Sequence, residues 1–403
     1  MSASINLVST GGGLMSNVDE KYRRWAVQRY LNGECTASIC TSLGRSKRWL
    51  QKWVKRHDPD DPHWYRSRSR RPRHNPRKIS HEIVQAVKMV RLQLYNQNLF
   101  CGAQVILWEF QDLGIKPLPS LRTINRILAR EGLTHKRTGA YVSKGRAYPK
   151  LTALKANQAH QTDIVGPCYL KGPIRFYSLN SVDLSTARCG INPSFSKSGQ
   201  DIIDGLWETW KRTGIPDNIQ VDNAMTFFGG YRHPRGMGPL IRLCLHNGVQ
   251  PWFIPLSEPW RNGVVEQFND LYQQRFLGRI SMDSTQALKA QSLVFEQRHN
   301  SKYRYSKLGG KTPLQALRAS HRPLRFPEKK QAPKYPMKKP KHGKYHLVRF
   351  IRSNLKLNIF GELFPVAPKY QYEYLIATID VKEQKLKLYL DTAKVDELPY
   401  RLR

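Results

Sequence analysis

The sequence predicts a multidomain protein, with all-α helix-turn-helix modules at the N-terminal end, a central α/β domain and a small C-terminal all-β domain. Three observations lead to this prediction. The chain has 403 residues, and since one domain usually takes roughly 100–200 residues, several domains are expected. Apolar residues recur at helical spacing in the first third of the chain. They alternate in short runs in the last 60 or so positions, as in strands.

The strongest global feature is charge. Lysine and arginine number 67 against 30 acidic residues, a formal net charge of +37, which indicates a polyanionic partner and above all nucleic acid. A membrane surface is the competing partner. We find no apolar run of roughly 18 residues, no lipidation motif and no secretory segment, so no membrane association is expected. The six cysteines are scattered without a Cys-x-x-Cys pair, which predicts free thiols and no structural zinc.

The first helical module is predicted at residues 17–57, after a small, polar and glycine-rich lead-in at 1–16 that is expected to be disordered. A helix ends at Asn32-Gly33, a short helix ends at Gly44, and a basic amphipathic helix follows, which is a helix-turn-helix layout. Its core side chains would be Trp49, Leu50, Trp53 and Val54. The residues left for DNA are Arg45, Lys47, Arg48 and Lys52. The alternative is a three-helix bundle whose basic face is only solvated.

Residues 58–79 combine prolines with dense arginines and predict an extended basic linker. Such an arm suits a phosphate backbone or a narrow minor groove. The arginines expected to contact DNA are Arg68, Arg70, Arg71 and Arg73.

A second helix-turn-helix module is predicted at 80–139. Ser80 is expected to cap its first helix and Ser120 its third. The third helix directs Arg122, Asn125 and Arg126 outward, residue types that read bases and bind phosphates. A basic connector at 140–155 follows.

Three acidic residues stand out in the central domain, which is predicted at 156–320. Asp163 and Asp222 each close a short β-run, and Glu266 follows the Asn262-Gly263 pair in the first turn of a helix. Hard oxygen ligands on rigid elements at one sheet edge suit two divalent cations. Glu266 by itself is also typical of a helix cap, and the helix dipole is expected to favour its ionised form. Asp183, at another strand end, is interpreted as structural.

These residues carry a resemblance to a known family. Gln161-Thr162-Asp163, Asp222-Asn223 and Pro259-x-x-Asn262-Gly263-x-x-Glu266 resemble the three catalytic blocks of retroviral-integrase-like DDE transposases of bacterial insertion sequences. His299-Asn300 and Lys311-Thr312-Pro313 extend the resemblance, which covers about residues 155–320. It implies a ribonuclease-H-like fold for 156–320. After a Lys/Pro linker at 321–344, it implies an SH3-like β-barrel at 345–403, for which the alternative is an all-β packing module that touches no DNA.

The resemblance also implies an activity. Asp163 would bridge two Mg²⁺ ions, with Mn²⁺ as a substitute, and Asp222 and Glu266 would each complete the shell of one ion. Asn223, Asn262 and Gly263 would shape the site. The enzyme would cut transposon ends to expose a 3′-OH and join it to target DNA. The alternative hypotheses are a ribonuclease-H-like nuclease without strand transfer and a catalytically inactive DNA-binding regulator.

The partners implied are double-stranded DNA, from transposon ends and target, and further copies of the chain, as a tetramer on DNA. Whether a helper ATPase is a partner stays open. The expected location is the cytoplasm, at the nucleoid of a prokaryote.

Two departures from the family pattern are visible. The interval from Asp222 to Glu266 is longer than usual, and the excess is predicted in a glycine- and proline-rich surface loop at 229–239. Where retroviral relatives carry DNA-binding lysines, this chain has Asp270 and Gln273. Arg275 or Arg279 is expected to take their place.

Overall fold

The computed structural model describes residues 13–68, 79–134, 148–171 and 174–403, with side chains from residue 18 onward. The chain divides into two compact units, Met1–Ile79 and Ser80–Arg403. In the described part of the chain, no helix has the length and apolar character needed to cross a membrane. All six cysteines lie in that part and are unpaired.

The first unit is a three-helix domain. Its helices are α1 (Gly13–Leu31), α2 (Thr36–Leu43) and α3 (Lys47–Val54). Gly44 ends α2 in the left-handed conformation at φ 59°, and Ser46 caps α3 by accepting a hydrogen bond from the backbone N–H of Trp49. The core consists of Ala26, Ile39 and Leu50. The helix-turn-helix layout is therefore as predicted, although α1 begins within the stretch that we expected to be a disordered lead-in.

The segment after α3 stays in contact with the helices of the first unit as far as Ser67. Arg23 of α1 lies over the Trp53 ring at 4.3 Å. It also donates hydrogen bonds to the carbonyl of Tyr65 (3.0 Å) and the hydroxyl of Ser67 (2.8 Å). The expected extended linker from residue 58 is thus held against the helices as far as Ser67, because the basic side chains of α1 find aromatic and carbonyl partners in it.

The second unit begins with three more helices, α4 (His81–Asn96), α5 (Ala103–Asp112) and α6 (Leu121–Arg130). Ser80 and Ser120 cap α4 and α6, as the sequence predicts, by accepting hydrogen bonds from the backbone N–H three residues on. The apolar stripe of α4 is buried at Ile83, Val87, Val90 and Leu94. The buried residues of α4 thus recur at helical spacing along one face of the helix.

A mixed sheet forms the centre of the second unit. Its first five strands are β1 (Ala159–Tyr169), β2 (Arg175–Asp183), β3 (Cys189–Ser194), β4 (Asn218–Val221) and β5 (Gln250–Phe253). Strands β1, β2 and β3 form an antiparallel meander, and β4 and β5 add in parallel on the other side of β1, giving the order β3-β2-β1-β4-β5. This α/β arrangement is the one that the strand and helix pattern predicts.

Helices cover both faces of this part of the sheet. The helices between β3 and the end of the α/β region are α7 (Gly199–Thr213), α8 (Met225–Phe228), α9 (Pro239–His246), α10 (Gly263–Tyr272), α11 (Thr285–Lys302) and α12 (Pro313–Ala319). On one face α7, α8 and α9 bury side chains such as Trp210 and Leu243. On the other, α10 and α11 bury Val265, Phe268 and Phe295 against β2 and β3.

The C-terminal strands extend this same sheet. They are β6 (Lys344–Phe350), β7 (Lys356–Ile359), β8 (Glu362–Pro365), β9 (Tyr374–Asp380), β10 (Lys385–Leu390) and β11 (Ala393–Pro399). β6 pairs in parallel with β5, then β9, β10 and β11 follow as antiparallel neighbours, so the full sheet has nine strands. β7 and β8 form a separate hairpin.

The expectation of a separate small barrel at 345–403 is therefore not confirmed. Tyr345 and Leu347 of β6 belong to the same apolar core as Ile219 of β4 and Phe253 of β5. The physical reason is that β5 would otherwise be an open edge with unpaired backbone groups, which β6 satisfies.

The stretch that we expected to be a Lys/Pro linker, 321–344, is fixed along the α/β part. Its contacts include the Arg322–Asp217 ion pair (2.7 Å), the hydrogen bond from the Tyr335 N–H to Gln200 (2.8 Å) and the hydrogen bond from Arg242 to the Met337 carbonyl (2.6 Å). It leads the chain to β6.

The loop at 229–239 also contacts the C-terminal strands. Arg235 forms a bidentate ion pair with Glu362, and the hydroxyl of Tyr400 donates to the carbonyl of Pro234 at 3.2 Å. Just before the loop, Phe228 stacks on Phe360 with ring centroids 4.3 Å apart. The loop is exposed at residue 229 and at 231–233, as predicted for a surface loop, and its contacts through Arg235 and Pro234 also connect the α/β part to the C-terminal strands.

Candidate active site

Strand register brings Asp163 and Asp222 to the same level. β1 and β4 are parallel, with Gln161 opposite Gln220, and each aspartate lies two residues further along its own chain. Asp222 directly follows Val221, the last residue of β4. Because neighbouring strands lie about 4.8 Å apart, the two aspartates occupy adjacent positions on β1 and β4. The expectation that each aspartate closes a strand is correct for Asp222 and wrong for Asp163, because β1 continues to Tyr169 and pairs with β2 beyond this point.

Helix α10 is fastened to these same strands by side-chain amides. The carbonyl oxygen of Gln161 accepts hydrogen bonds from the backbone N–H groups of Val264 (2.9 Å) and Val265 (3.1 Å). The amide of Gln220 donates to the carbonyl of Arg261 at 2.9 Å. Since Gln161 and Asp163 are two residues apart on a strand, their side chains share a face. The first turn of α10, which carries Glu266, therefore lies over the face that presents Asp163.

Two of the free N–H groups at the start of α10 have a partner other than Glu266. Gln161 accepts from the first two N–H groups after Gly263. The expectation that the helix dipole favours ionised Glu266 is also contradicted. Partial burial, followed by the negative charges of Asp163 and Asp270, raises the pKa of this carboxyl group.

The pKa values of the other two acidic residues are raised as well. Burial raises the pKa of Asp163, opposed by its hydrogen bonds to the backbone and to Asn269. Burial also raises the pKa of Asp222, and the charge of Asp163 adds to the increase. The charge of Asp163 thus acts on both Asp222 and Glu266.

The donor chemistry of this site suits a hard cation. Carboxylate oxygens are the ligands that Mg²⁺ prefers, and a bound cation relieves repulsion among neighbouring acids. Within the residues described, however, no group of three or more His, Cys, Asp or Glu side chains is arranged to hold a metal ion. Asp163 instead accepts a hydrogen bond at Oδ2, from the amide of Asn269 at 2.9 Å.

Asn269 is a site residue that the sequence analysis missed. It is buried, and its own carbonyl oxygen accepts from the amide of Asn180 on β2 (2.9 Å), which in turn accepts from the hydroxyl of Ser178 (2.7 Å). A signal was available, because Asn269 is three residues after Glu266 and so shares its helix face. A polar residue on a face that must pack on a sheet indicates a specific partner.

The residues expected to shape the site make distinct contacts. Asn223 donates to the carbonyl of Ile254 (2.7 Å), and Asn262 donates to the carbonyl of Thr162 (3.2 Å). Gly263 begins α10 with ordinary helical angles, φ −61°. A side chain at this position would meet no atom within 4 Å. The Asn262-Gly263 pair joins a 3-10 helix at Pro259–Asn262 to α10, and steric need does not explain this glycine.

Asp183 and the candidate replacement arginines lie in other settings. Asp183 is buried and accepts from the Asn157 N–H (3.2 Å) and the Thr186 hydroxyl (2.6 Å), a structural arrangement. Arg279 donates to the side chain of Asn98, between α4 and α5. Arg275 is half-buried in the turn of π-helix after α10.

The residues expected to bind DNA are exposed wherever they are described. On the first unit these are Arg45, Lys47, Arg48, Lys52 and Arg68, and on α6 they are Arg122, Asn125 and Arg126. Arg45 is paired with Asp19 at 2.8 Å. Arg70, Arg71 and Arg73 lie outside the described residues.

Comparisons with known proteins give one match to a family. Residues 17–61 match the homeodomain-like domain family. This agrees with the helix-turn-helix layout of α1, α2 and α3. No curated protein sequence matches the chain at a significant level.

Solved structures with detectable similarity include the HTLV-2 integrase catalytic core domain in complex with magnesium, in its trimeric form. It is 15% identical, covers 41% of this chain and 99% of its own, and has a TM-score of 0.32. A chain of the simian T-cell lymphotropic virus intasome in complex with PP2A regulatory subunit B56 gamma is 16% identical. It covers 79% of this chain and 97% of its own, with a TM-score of 0.36. At TM-scores below 0.5, these similarities bear on neither the function nor the site.

Proposed function

We propose that this protein is a DDE transposase or integrase that binds double-stranded DNA ends, cleaves them to expose a 3′-OH and transfers that end into target DNA. One observation carries the proposal. Asp163 and Asp222 stand at matching register on adjacent parallel strands, and the helix that bears Glu266 is hydrogen-bonded to those two strands. The three blocks of sequence that resemble the family are the blocks that contribute these elements.

In this proposal Asp163, Asp222 and Glu266 hold two Mg²⁺ ions, or Mn²⁺ in their place. The bound cations would offset charge on the reacting phosphate and lower the pKa of the attacking water. The chain itself keeps the acids in position. Asn269 orients Asp163 through its hydrogen bond to Oδ2, and the amides of Gln161 and Gln220 hold the helix of Glu266 on the strands.

Binding of DNA is assigned to the exposed basic helices. α3 in the first unit and α6 in the second each present exposed arginines or lysines. A net charge of +37 supports strong, salt-dependent attraction to phosphates. Because two transposon ends must each be cut, we propose that the active form is an oligomer on DNA, a tetramer, which a helper ATPase could assist.

The decisive experiment is strand joining in vitro. A footprint of the full chain on DNA flanking its gene first identifies the bound ends. Labelled duplexes with those ends are then incubated with plasmid and Mg²⁺, and we expect cut ends joined to plasmid. Asp163→Asn, Asp222→Asn and Glu266→Gln should each abolish joining, whereas Asp204→Asn, an exposed acid of α7, should not.

The outcomes separate the rival functions. Cleavage without joining would show a nuclease of the same fold. A footprint without any cleavage would show a DNA-binding regulator. Full activity in all three acid variants would overturn the catalytic assignment.

A further inference from the structure

Arg349 of β6 is a buried arginine with uncharged acceptors. Its side chain donates to the carbonyls of Asn358 (2.7 Å), Ile254 (3.0 Å) and Val348 (2.9 Å), and to the side-chain oxygen of Asn223 (2.8 Å). The residue is only 3% exposed, and burial lowers its pKa to about 9. Burying a cation without a carboxylate costs stability. A buried charge of this kind therefore calls for an explanation other than stability.

Two of the acceptors of Arg349, the carbonyl of Ile254 and the side-chain oxygen of Asn223, belong to residues that fix the backbone on either side of Asp222. On the N-terminal side of Asp222, the carbonyl of Val221 accepts from the Ile254 N–H at 3.1 Å. On its C-terminal side, the amide of Asn223 donates to the Ile254 carbonyl at 2.7 Å. Arg349 binds that same carbonyl and the free oxygen of the Asn223 amide. Both neighbours of Asp222 are thus fixed to Ile254, the residue that directly follows β5, and the guanidinium of Arg349 binds to both Ile254 and Asn223.

The Asp222 side chain also has a local restraint. Its Oδ1 accepts from the backbone N–H of Ala224 at 3.0 Å. This bond requires the backbone from 222 to 224 to keep its present conformation, and the side chain of Asn223 anchors that segment to Ile254, just after β5. The guanidinium is a rigid fork of donors. Its Nε and Nη1 groups are held by the carbonyls of Asn358, Ile254 and Val348, so the Nη2 group that donates to Asn223 has a fixed direction.

We propose that Arg349 is a positioning residue for the Asp222 carboxylate, acting through Asn223. The inference rests on the proposed function, in which Asp222 is a metal ligand. Arg349 makes the last segment of the chain part of the active site, because a residue of β6 orders the end of β4. Loss of Arg349 weakens metal binding, while the chemical step at saturating metal is largely retained.

The test uses the full chain with Arg349→Met, which keeps length and apolar volume but removes the donors. Mn²⁺ binding is measured by electron paramagnetic resonance without DNA, and cleavage is measured as a function of Mg²⁺ concentration. We expect about 10–100-fold weaker metal binding, as for other residues that orient metal ligands. The cleavage rate at saturating Mg²⁺ should change little. The Mg²⁺ concentration that gives half of the maximal rate should rise much more.

Arg242→Met is the matched control. Arg242 of α9 is a half-buried arginine that also donates to backbone carbonyls, those of Met237 (2.8 Å) and Met337 (2.6 Å). Its loss should lower the melting temperature without changing Mn²⁺ affinity. Equal Mn²⁺ affinities in the two variants would overturn the inference, since Arg349 would then be structural only.

A double-variant cycle tests the route through Asn223. Asn223→Ala should weaken Mn²⁺ binding, and adding Arg349→Met should weaken it little further. Additive losses would show that Arg349 does not act through Asn223.

If Arg349→Met does not fold, Asn223→Ala compared with Arg242→Met decides the question. A wild-type chain that binds no Mn²⁺ would overturn this inference and the proposed function together. Binding that depends on Asp222 without any strand joining would overturn the proposed function alone.

Discussion

The amide of Asn269 donates a 2.9 Å hydrogen bond to Oδ2 of Asp163, joining the helix of Glu266 to the first acidic strand. Asn269 is buried and is itself held by Asn180 of β2. One side chain thus relates two of the proposed ligands to each other. Its contribution can be measured separately from that of the acids.

Asn269→Ala should reduce metal affinity by about 10–100-fold, the range known for groups that orient metal ligands. The hydrogen bond holds the pKa of Asp163 down, so its removal should also raise that pKa further and move the activity to higher pH. Mg²⁺ titrations of cleavage at several pH values measure both effects. Gln267→Ala, an exposed neighbour on α10, serves as control, and an unchanged Mg²⁺ requirement in Asn269→Ala would count against this role.

Asp163→Asn should abolish cleavage and yet stabilise the metal-free protein at neutral pH. Burial raises the pKa of Asp163, and its charge raises the pKa of Asp222 and Glu266. A carboxyl group with a raised pKa destabilises the fold when ionised, so stability falls as pH rises above the unfolded-state pKa. Thermal melts in chelator measure this, and a lower melting temperature for Asp163→Asn than for wild type would contradict it.

Mg²⁺ should stabilise the wild-type protein and have no such effect on Asp163→Asn. A ligand at a hundred times its Kd adds about 2.7 kcal/mol to the free energy of unfolding. Chemical denaturation with and without Mg²⁺ gives the value, with Asp204→Asn as the variant that should respond as wild type does. Equal stabilisation of Asp163→Asn would show that Mg²⁺ binds elsewhere.

Arg126→Ala on α6 should weaken DNA binding. If Arg126 contacts a phosphate, the slope of log affinity against log salt falls by about one and sequence preference is kept. If it contacts a base, discrimination falls by about 1–3 kcal/mol at one position. Salt-dependent binding assays with Arg126→Ala distinguish the two. Lys289→Ala on α11 removes an equal surface charge, and an equal loss of affinity in this variant would argue against a specific role for α6.

Acid should destabilise the protein as pH falls from about 6.5 to about 4. Burial lowers the pKa of His160, His299 and His346, each to about 4. Between that value and the unfolded-state pKa of about 6.5, the unfolded chain binds more protons, so acidification favours unfolding. The raised pKa values of the three site carboxyls act in the opposite direction.

His346 offers the clearest test of this acid effect. Its ring contacts Thr378 (2.9 Å) and Gln250 (2.8 Å), which link β6 to β9 and β5. His346→Gln should flatten the decline in the free energy of unfolding below pH 6.5. The same slope in the variant and in wild type would exclude a contribution from this histidine.

Much of the fold follows from local signals. The serine caps at 80 and 120 are encoded within a few residues, so pattern reasoning finds them. The alternation of strands and helices around Asp163 and Asp222 is likewise readable. Glu266 could be expected near them only because the family resemblance related its block to theirs.

The remaining features depend on contacts between distant residues. Short alternating strands look alike in a barrel and at the edge of a larger sheet, so the pairing of Trp252 with His346 could not be foreseen. The same applies to Asn269, because its role depends on a hydrogen bond to Asp163, which is distant in the sequence. Arg349 looked like one of many surface cations, because nothing in the sequence reveals that it is buried.

The parallel pairing of β5 with β6 has a consequence for biosynthesis. The backbone edge of β5 and the apolar core around Phe253 must wait for the segment at 344–350 to leave the ribosome. Until then the nascent chain exposes an unpaired strand edge, the kind of surface that invites aggregation or chaperone binding. The part of the apolar core that β4, β5 and β6 share therefore forms only after the C-terminal strands have been synthesised.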